Sequence, residues 1–318
     1  MTKQATNWFD GNVLCKLPQF GLLRISGADA RAFLQGQLSC DVNSLEPAHA
    51  RYGSYNTPQG RMLATFLLWR GADDYFMRLP CSLCETIRSR LTKFVLRAKV
   101  QFQDVSVDYD LIGVAGDTAT TTVAQWFETV PTAPLAGSGD RGAVLLRLDS
   151  QRFLIVATHE RAQAMLSNTG GETHTVDSAV WDWLEIRAGV PNVLPATQEQ
   201  FVPQMANLDL LGGISFNKGC YPGQEIVARM HYLGKLKQRT YLVHATGDDC
   251  LQPGDKLYAP DMNGQAVGMI MNAARAPDTG SDALAVIQID SAARGNVRLG
   301  SLAGPPLRFL DLPYNSAS

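Results

Sequence analysis

The helical repeat of apolar residues stops after Arg239, and this change constrains the fold more than any other feature of the chain. Beyond it, short apolar runs are separated by Gly, Pro, Asn and Asp, which is typical of a small β-barrel or sandwich. The runs are Tyr241 to Ala245, Lys256 to Ala259, Ala266 to Met271 and Ala283 to Ile289. A chain of 318 residues also exceeds the size at which one hydrophobic core usually keeps growing. We therefore expect two or three domains, the last of them all-β.

Before Arg239 the chain alternates between strand patterns and helix patterns. The run Phe20 to Ile25 is strand-like, and Ser26-Gly27-Ala28-Asp29 has the form of a capping box at a helix start. Two strand-prone runs, Tyr52 to Asn56 and Met62 to Trp69, flank a Pro58-Gln59-Gly60 turn and predict a hairpin. The alternation predicts two α+β units ahead of the all-β segment.

A helix is predicted from Cys81 to Arg97, because apolar residues recur there on one face. That face carries Leu83, Ile87, Leu91 and Phe94. Cys81 and Cys84 have the spacing of a redox dithiol, but Cys84 lies on the apolar face, which favours a buried structural cysteine. The helix also has a basic face, formed by Arg88, Arg90, Lys93, Arg97 and Lys99, which we interpret as a solvated surface.

Composition excludes several classes of function. The formal net charge is -2, so no global charge draws the chain to nucleic acid or to an anionic membrane. The segment Met1 to Asp10 lacks the apolar region of a secretory signal, and no run approaches the roughly 18 apolar residues of a membrane span. The six cysteines, Cys250 among them, are too scattered for a disulfide scaffold, so we expect thiols in a reducing cytoplasm. The five histidines have no metal-ligand spacing, and no permanent metal is expected.

A glycine pattern at Gly137 to Gly142 matches the dinucleotide-binding motif letter for letter. That motif functions only after a strand and at the start of a helix, whereas here it follows a Pro-rich stretch and leads into a strand. We interpret residues 130–142 as an exposed loop.

The run Lys218-Gly219-Cys220-Tyr221-Pro222-Gly223-Gln224-Glu225 is the strongest candidate for chemistry. An amphipathic helix is predicted from Pro222 to Lys235, with an apolar stripe of Ile226, Val227, Met230 and Leu233. Cys220 would then lie just before a helix N-terminus and close to Lys218, and both features stabilise a thiolate. Glycines on either side allow a sharp turn and a close approach. The alternative is a tight turn with a small buried cysteine, and the residues alone leave both interpretations open.

This run resembles the signature of the YgfZ proteins, folate-binding relatives of the glycine-cleavage T-protein. Two further segments resemble that family, and together they extend the resemblance over nearly the whole chain. They are Leu34 to Val42 (LQGQLSCDV), and Phe201 to Phe216 with FVPQ, Asn207-Leu208 and GGISF. The resemblance implies an α+β fold with two ferredoxin-like units and a C-terminal β-barrel around a central folate cavity. The implied boundaries are 1–47 with 107–238, 48–106, and 239–318.

The resemblance also implies a function and a set of site residues. It implies a protein that binds tetrahydrofolate and supports the synthesis or repair of iron–sulfur clusters in client proteins, including radical enzymes that methylthiolate tRNA. We also expect a monomer. No stable contact with nucleic acid or membrane is implied. Cys220 and Lys218 would carry the chemistry. The implied folate-binding residues are Phe20, Trp181, Gln204, Tyr221, Gly223, Gln224 and Glu225.

Departures from the T-protein pattern bear on the reaction. T-proteins carry a catalytic aspartate in the stretch that here is Gly60-Arg61-Met62-Leu63-Ala64-Thr65, which contains no carboxylate. Gln204 also stands where a T-protein glutamate anchors the pterin ring, and a glutamine keeps the hydrogen bonds but not the charge. Both differences argue against aminomethyl transfer. A folate-dependent one-carbon transferase or demethylase remains an alternative, and a thiol redox protein using Cys220, alone or with Cys81 and Cys84, is a second.

Overall fold

The elements alternate as the sequence patterns predict, with extended strands and few long helices. The structure, a computed structural model, describes residues 12–140, 142–168, 173–247 and 251–314. The predictions for Met1 to Asp10 and for Cys250 lie outside the described residues. In chain order the helices are α1 (Ala30–Gln35), α2 (Cys81–Thr92), α3 (Ala119–Val123), α4 (His159–Ser167), α5 (Ser178–Arg187), α6 (Gln224–Tyr232) and α7 (Ile289–Arg294).

The strands pair into three sheets within these ranges. In chain order they are β1 (Asn12–Lys16), β2 (Phe20–Ser26), β3 (Ala50–Asn56), β4 (Met62–Arg70), β5 (Tyr75–Pro80), β6 (Gln101–Asp104), β7 (Tyr109–Ala115), β8 (Gly137–Asp140), β9 (Ala143–Arg147), β10 (Arg152–Thr158), β11 (Thr173–Thr175), β12 (Gln238–Ala245), β13 (Lys256–Tyr258), β14 (Ala266–Arg275), β15 (Ser281–Gln288), β16 (Arg298–Leu299) and β17 (Arg308–Leu310). The strand orders are β11-β1-β7-β10-β9-β8, β3-β4-β5-β2-β6 and β16-β13-β14-β15-β12-β17. The fold is therefore α+β, as predicted.

The first sheet is mixed, because β1 pairs parallel with β11 and antiparallel with β7. Strands β7, β10, β9 and β8 continue it in antiparallel pairs. Its buried residues form a core with those of α3 and α4, which includes Ile112, Val123, Phe153 and Met165.

The C-terminal sheet is antiparallel throughout and carries its own core, which includes Val243, Leu257, Ile270 and Ile287. The four apolar runs predicted as strands beyond Arg239 correspond to β12, β13, β14 and β15. The short helix α7 was not predicted, because its first residue, Ile289, was assigned to the apolar run that forms β15.

The described chain divides into two compact units. One contains residues 1–33, 43–51 and 67–181, and the other contains residues 34–42, 52–66 and 182–318. Strands β3 and β4 each begin in one unit and end in the other, because their residues fall on both sides of these boundaries. The three-domain division expected above stays a prediction.

Two helix predictions are wrong in detail. Helix α2 ends at Thr92 instead of Arg97, and Phe94 is 52% exposed where an inward-facing side chain was expected. The cause is local, because Leu96 has a φ of 47°, in the left-handed region that stops a helix. In α6 only Val227 is buried, and Ile226 and Leu233 of the predicted apolar stripe are exposed.

The glycine pattern lies in a β-hairpin, so the loop prediction for residues 130–142 is wrong for its second half. Gly137 to Asp140 form β8 and pair antiparallel with Ala143 to Leu146 of β9. Strand β9 follows the pattern, where a dinucleotide-binding motif requires a helix. Arg141 lies outside the described residues.

Asp29 does not close the predicted capping box. Its carboxylate accepts a hydrogen bond from the amide of Lys99 at 2.7 Å, so it ties the start of α1 to the segment before β6. Among the described residues, no helix is long and apolar enough to cross a membrane.

Candidate functional site

Cys220 is a free, exposed thiol on a loop that is fixed at both ends to α6. At one end, the ring of Phe216 stacks on His231 near the C-terminus of α6, with ring centroids 3.8 Å apart and an interplanar angle of 14°. At the other end, Gly223 is the N-cap residue of α6. The loop therefore presents the thiol to solvent from a defined position.

Gly223 fixes the start of α6 against the β3–β4 hairpin. Its φ is 79°, in the left-handed region that favours glycine. A Cβ atom at this position would lie 2.5 Å from the Cα atom of Gly60 and 2.6 Å from the carbonyl oxygen of Thr57. Only glycine therefore permits the close approach of the α6 N-terminus to the hairpin turn.

The turn that receives Gly223 is itself well ordered. The amide of Gly60 donates to the carbonyl of Thr57 at 2.9 Å, and the amide of Thr57 donates to the carbonyl of Arg61 at 2.8 Å. The hydroxyl of Thr57 accepts from the amide of Arg61 at 3.2 Å. The hairpin predicted from the Pro58-Gln59-Gly60 turn is confirmed.

Lys218 joins the cysteine run to the early segment that also resembles the YgfZ proteins. Its ammonium donates to the carbonyl oxygens of Leu38 at 2.6 Å and Cys40 at 2.7 Å. Between these two residues, the hydroxyl of Ser39 donates to the carbonyl of Gly213 at 2.7 Å and accepts from the amide of Ser54 at 2.8 Å. Two segments separated by almost 180 residues in the sequence therefore form one structure.

Burial perturbs the charge of Lys218. Loss of solvation lowers the pKa of Lys218 to about 8, and nearby Cys40 and Asp41 only partly oppose this shift. The ammonium also lies 5.1 Å from the ring centroid of Tyr221, a cation–π contact. Burial, and then Cys40, raise the pKa of the Tyr221 hydroxyl. The direct hydrogen bonds of Lys218 go to main-chain carbonyls, and its expected influence on Cys220 stays a prediction.

Gln224 holds the loop from inside the first turn of α6. Its side-chain oxygen accepts from the amide of Tyr221 at 3.3 Å, and its side-chain nitrogen donates to the carbonyl of Lys218 at 3.5 Å. Glu225 is exposed in the same turn, where its charge is favourable at the positive end of the helix dipole. Their expected contacts with folate stay predictions.

Gln204 anchors the third family-like segment to α6. Its side-chain nitrogen donates to the carbonyl of Val227 at 2.6 Å. The segment is held further by Arg239, which forms a two-bond ion pair with Asp209 at 2.7 and 2.9 Å and donates to the carbonyl of Gln204 at 3.0 Å. Gln204 is thus fixed in place, with its remaining polar atom buried.

Several buried polar atoms on these elements have no hydrogen-bond partner among the described residues. Both side-chain polar atoms of Asn56 lack a hydrogen-bond partner in the described part of the chain, and the residue is only 2% exposed. The side-chain oxygen of Gln204 and the hydroxyl of Tyr221 are in the same state. Unpaired buried polar groups are costly, so these atoms are candidates to pair with a ligand or with bound water.

These atoms match the chemistry of a pterin ring. A pterin has N–H donors and nitrogen and oxygen acceptors along its edge. The oxygen of Gln204 can accept, the hydroxyl of Tyr221 can donate, and the amide of Asn56 can do both. Asn56 was not predicted, although an asparagine at the end of a predicted strand, just before a Pro-Gln-Gly turn, is a detectable signal.

Phe20 and Trp181, the expected stacking residues, both belong to the unit that contains residues 67–181. The guanidinium of Arg78 lies 4.0 Å from the ring centroid of Phe20. Trp181 has no exposed surface and packs closely on Gly113, where a Cβ atom would lie 2.3 Å from the indole. Both rings are buried, and their roles in folate binding stay predictions.

The other cysteines of the sequence argument differ in exposure. Cys84 is buried, and burial raises the pKa of its thiol to about 12, which suits the predicted structural role. Cys81 is exposed at the start of α2. No group of three His, Cys, Asp or Glu side chains in the described residues could hold a metal ion. The expectation of no permanent metal stays a prediction.

Comparison with known proteins gives a consistent family. Residues 9–134 match the model of the GCVT N-terminal domain. The tRNA-modifying protein YgfZ of Yersinia pestis (strain Pestoides F) is 32% identical over 308 residues, covering 96% of this chain and 93% of the relative. The YgfZ protein of Colwellia psychrerythraea is 31% identical over 304 residues, covering 95% and 93%.

A solved structure shows the same fold. The glycine cleavage system aminomethyltransferase T from Bartonella henselae superposes with a TM-score of 0.80, covering 97% of this chain and 88% of that protein. The sequence identity is 17%, so this similarity carries the fold alone. The expected T-protein-like fold is confirmed. With its identity to the curated relatives over nearly its whole length, the chain belongs to the YgfZ family of tRNA-modifying proteins.

Proposed function

We propose that this protein binds tetrahydrofolate and uses Cys220 to support the synthesis or repair of iron–sulfur clusters in client enzymes, including enzymes that methylthiolate tRNA. The observation that carries the proposal is one structural arrangement. An exposed free thiol stands on a loop held by α6, while the elements around that loop carry buried polar atoms that have no hydrogen-bond partner among the described residues.

Cys220 acts as the thiol that contacts a client's cluster, persulfide or cysteine. A single cysteine can only share a cluster with ligands from another molecule, so the contact is transient. The loop suits this role because Gly219 and Cys220 are exposed, and a Cβ atom at Gly219 would meet nothing within 4 Å. A partner can therefore approach the thiol without moving the loop.

Folate is held by the buried polar atoms. Asn56, Gln204 and Tyr221, which belong to the same compact unit, would pair with the pterin edge. Bound tetrahydrofolate supplies the reactive nitrogen atoms that carry one-carbon units. In this chain the residues that follow the hairpin turn contain no carboxylate to orient such a nitrogen.

Residues of that stretch also form hydrogen bonds that hold the fold together. The amide of Met62 donates to the carbonyl of Phe201 at 2.9 Å, and the hydroxyl of Thr65 accepts from the amide of Val193 at 2.9 Å. Neither a methionine nor a threonine side chain can replace the carboxylate that orients the folate nitrogen. The side chains of this stretch therefore favour an accessory function over aminomethyl transfer. We place this function in the cytoplasm and assign it to a monomer with no stable nucleic-acid complex.

A complementation experiment tests the proposal. A deletion strain would receive the wild-type protein, Cys220→Ser or Cys81→Ser at matched levels, and one iron–sulfur dehydratase and the methylthio modification of tRNA would be measured. Cys81 is the matched control, because it is also an exposed thiol. We expect the wild type and Cys81→Ser to restore both activities and Cys220→Ser to restore neither. If deletion changes neither activity while one-carbon flux from glycine falls, the transferase replaces this proposal.

A further inference from the structure

The turn after α2 carries large apolar side chains on the surface, among positive charges. Phe94 is 52% exposed and Leu96 is 89% exposed. The basic residues around them in sequence are Arg90, Lys93, Arg97 and Lys99. We call these six residues the Phe94–Leu96 ridge. A plain solvated surface, as the sequence predicts for this basic face, does not account for the two exposed apolar side chains between its charges.

The exposure is built into an ordered turn. The amides of Phe94, Val95 and Ala98 donate to the carbonyls of Leu91, Thr92 and Val95 at 2.8 to 3.1 Å. Both main-chain polar groups of Lys99 hold the end of the turn through hydrogen bonds to Asp29. Its amide donates to the carboxylate of Asp29 at 2.7 Å, and its carbonyl accepts from the amide of Asp29 at 3.3 Å. The backbone therefore fixes where the ridge side chains project.

Leu96 carries two unfavourable features at once. Its φ of 47° lies in the left-handed region, which a leucine side chain disfavours, and its apolar surface faces water. A glycine or asparagine would relieve both. Backbone strain of this kind concentrates at active sites, ligand clamps and switch regions.

The charges of the ridge define its partner. Arg88 on the preceding turn pairs with Glu85 at 2.7 Å, but no described acidic side chain pairs with the basic residues of the ridge. An acidic surface would supply the missing partners. The ridge has one aromatic ring, that of Phe94, whereas single-stranded nucleic acid stacks successive bases on several aromatic side chains. Phenylalanine and arginine are both enriched at protein interfaces.

We propose that the Phe94–Leu96 ridge docks an acidic surface of an iron–sulfur client protein, with Phe94 and Leu96 filling an apolar pocket on that surface. This inference rests on the proposed function, because it names how the client reaches the protein. The ridge supplies binding, and Cys220 supplies the chemistry.

The test uses the full-length protein and a purified tRNA-methylthiolating radical enzyme from the same organism as the probe. The double variant Phe94→Ser/Leu96→Asn removes the apolar anchors with residues that suit an exposed, left-handed turn. Val107→Ser is the matched control, because Val107 is 80% exposed but lies outside the ridge. Affinity for the enzyme, affinity for total tRNA, and stability in urea would be measured for each protein.

We expect the double variant to bind the enzyme at least about tenfold more weakly than the wild type, with unchanged or higher stability in urea. Val107→Ser should bind as the wild type does. Wild-type affinity should also fall as salt rises, because charge pairs contribute to it. Equal affinity of wild type and double variant, equal loss in Val107→Ser, or no complex with the wild type would overturn the inference. If the double variant loses affinity for tRNA but keeps its affinity for the enzyme, the inference is overturned, and the partner of the ridge is a nucleic acid.

Complementation separates this inference from the proposed function. If both stand, the double variant and Cys220→Ser each fail to restore tRNA methylthiolation, but only the double variant fails to bind the enzyme. If Cys220→Ser restores methylthiolation while the double variant does not, the role of the thiol is wrong and the docking surface stands. If the double variant restores methylthiolation and Cys220→Ser does not, the docking inference is wrong.

Discussion

Among single residues, Asn56 gives the strongest support to the proposal that the site binds a ligand. Its side chain is 2% exposed, and neither of its polar atoms has a partner in the described residues. A protein that only needed to fold would favour an apolar side chain of similar size here, because an unpaired buried polar group costs free energy.

Replacing Asn56 with leucine should therefore stabilise the ligand-free protein. We expect the Asn56→Leu variant to unfold with a free energy about 1 kcal/mol higher than the wild type, since the desolvation cost of the amide is removed. Urea denaturation of both proteins, without folate, would measure this difference. A destabilised variant would contradict the assignment, because it would mean that the amide makes structural hydrogen bonds.

Lys218 predicts a dependence of stability on pH. Its pKa is about 8 in the folded protein and 10.5 in an exposed lysine, so between these values the unfolded chain binds more protons than the folded one. The contribution of Lys218 to the free energy of unfolding therefore rises with pH across that window. Cys40, Asp41 and Tyr221 lie around the ammonium, and all three are unchanged in the Lys218→Met variant with which the wild type is compared.

The unfolding free energy of the wild type should rise relative to that of Lys218→Met between about pH 8 and pH 10.5. Urea denaturation of both proteins at several pH values would measure the difference, and subtraction removes the titration of other groups. A difference that stays flat or falls over this window would show that Lys218 is not buried as described.

Among the elements, α6 organises the site through its first residue. The hairpin turn, the cysteine loop and the Gln204 segment all contact α6 or its N-cap. The contact at Gly223 is the tightest of these, because a Cβ atom there would overlap the backbone of the turn.

Gly223→Ala should detach the α6 N-terminus from the hairpin. We expect the free energy of unfolding to fall by about 1 to 3 kcal/mol, because alanine would be strained at this φ and would also meet the turn backbone. The matched control is Gly219→Ala in the same loop, where the added Cβ atom has open space and the stability should change little. Equal effects of the two changes, measured by denaturation in urea, would contradict this account of Gly223.

Elements with a strong periodic pattern could be predicted from the sequence. The β3–β4 hairpin and strands β12 to β15 match their predicted positions, because alternating or β-branched runs between turn residues leave few other options. The end of α2 was not predicted, because the apolar period continues to Phe94 while the left-handed backbone at Leu96 leaves no trace in that pattern. Strand β8 was missed since its glycines are typical of loops.

The candidate site was predictable only along its contiguous run. The sequence identified Lys218, Cys220 and Gln224 as neighbours, and the structure brings Lys218 and Gln224 together around Tyr221. The acceptors of Lys218 could not be predicted, because they are main-chain carbonyls of Leu38 and Cys40, which any residue could supply. The unpaired state of Asn56 likewise depends on its three-dimensional neighbours.

At the scale of the whole molecule, the fold holds the family-like segments in one unit. Residues 34–42, 52–66 and 182–318 belong together, and they include the cysteine run, the early segment and Gln204. A ligand that binds the folded chain alone stabilises the whole molecule by about 2.7 kcal/mol at a hundredfold excess over its dissociation constant. Folate should therefore affect both its own site and global unfolding.

Anaerobic calorimetric titration with tetrahydrofolate, using the wild type and Asn56→Leu, tests the central claim most directly. The account predicts saturable binding to one site in the wild type. It also predicts at least about tenfold weaker binding in the folded variant, which corresponds to the loss of about 1.4 kcal/mol. Absence of saturable binding to the wild type, or equal affinity in the two proteins, would show that the buried polar atoms around α6 do not form a folate site.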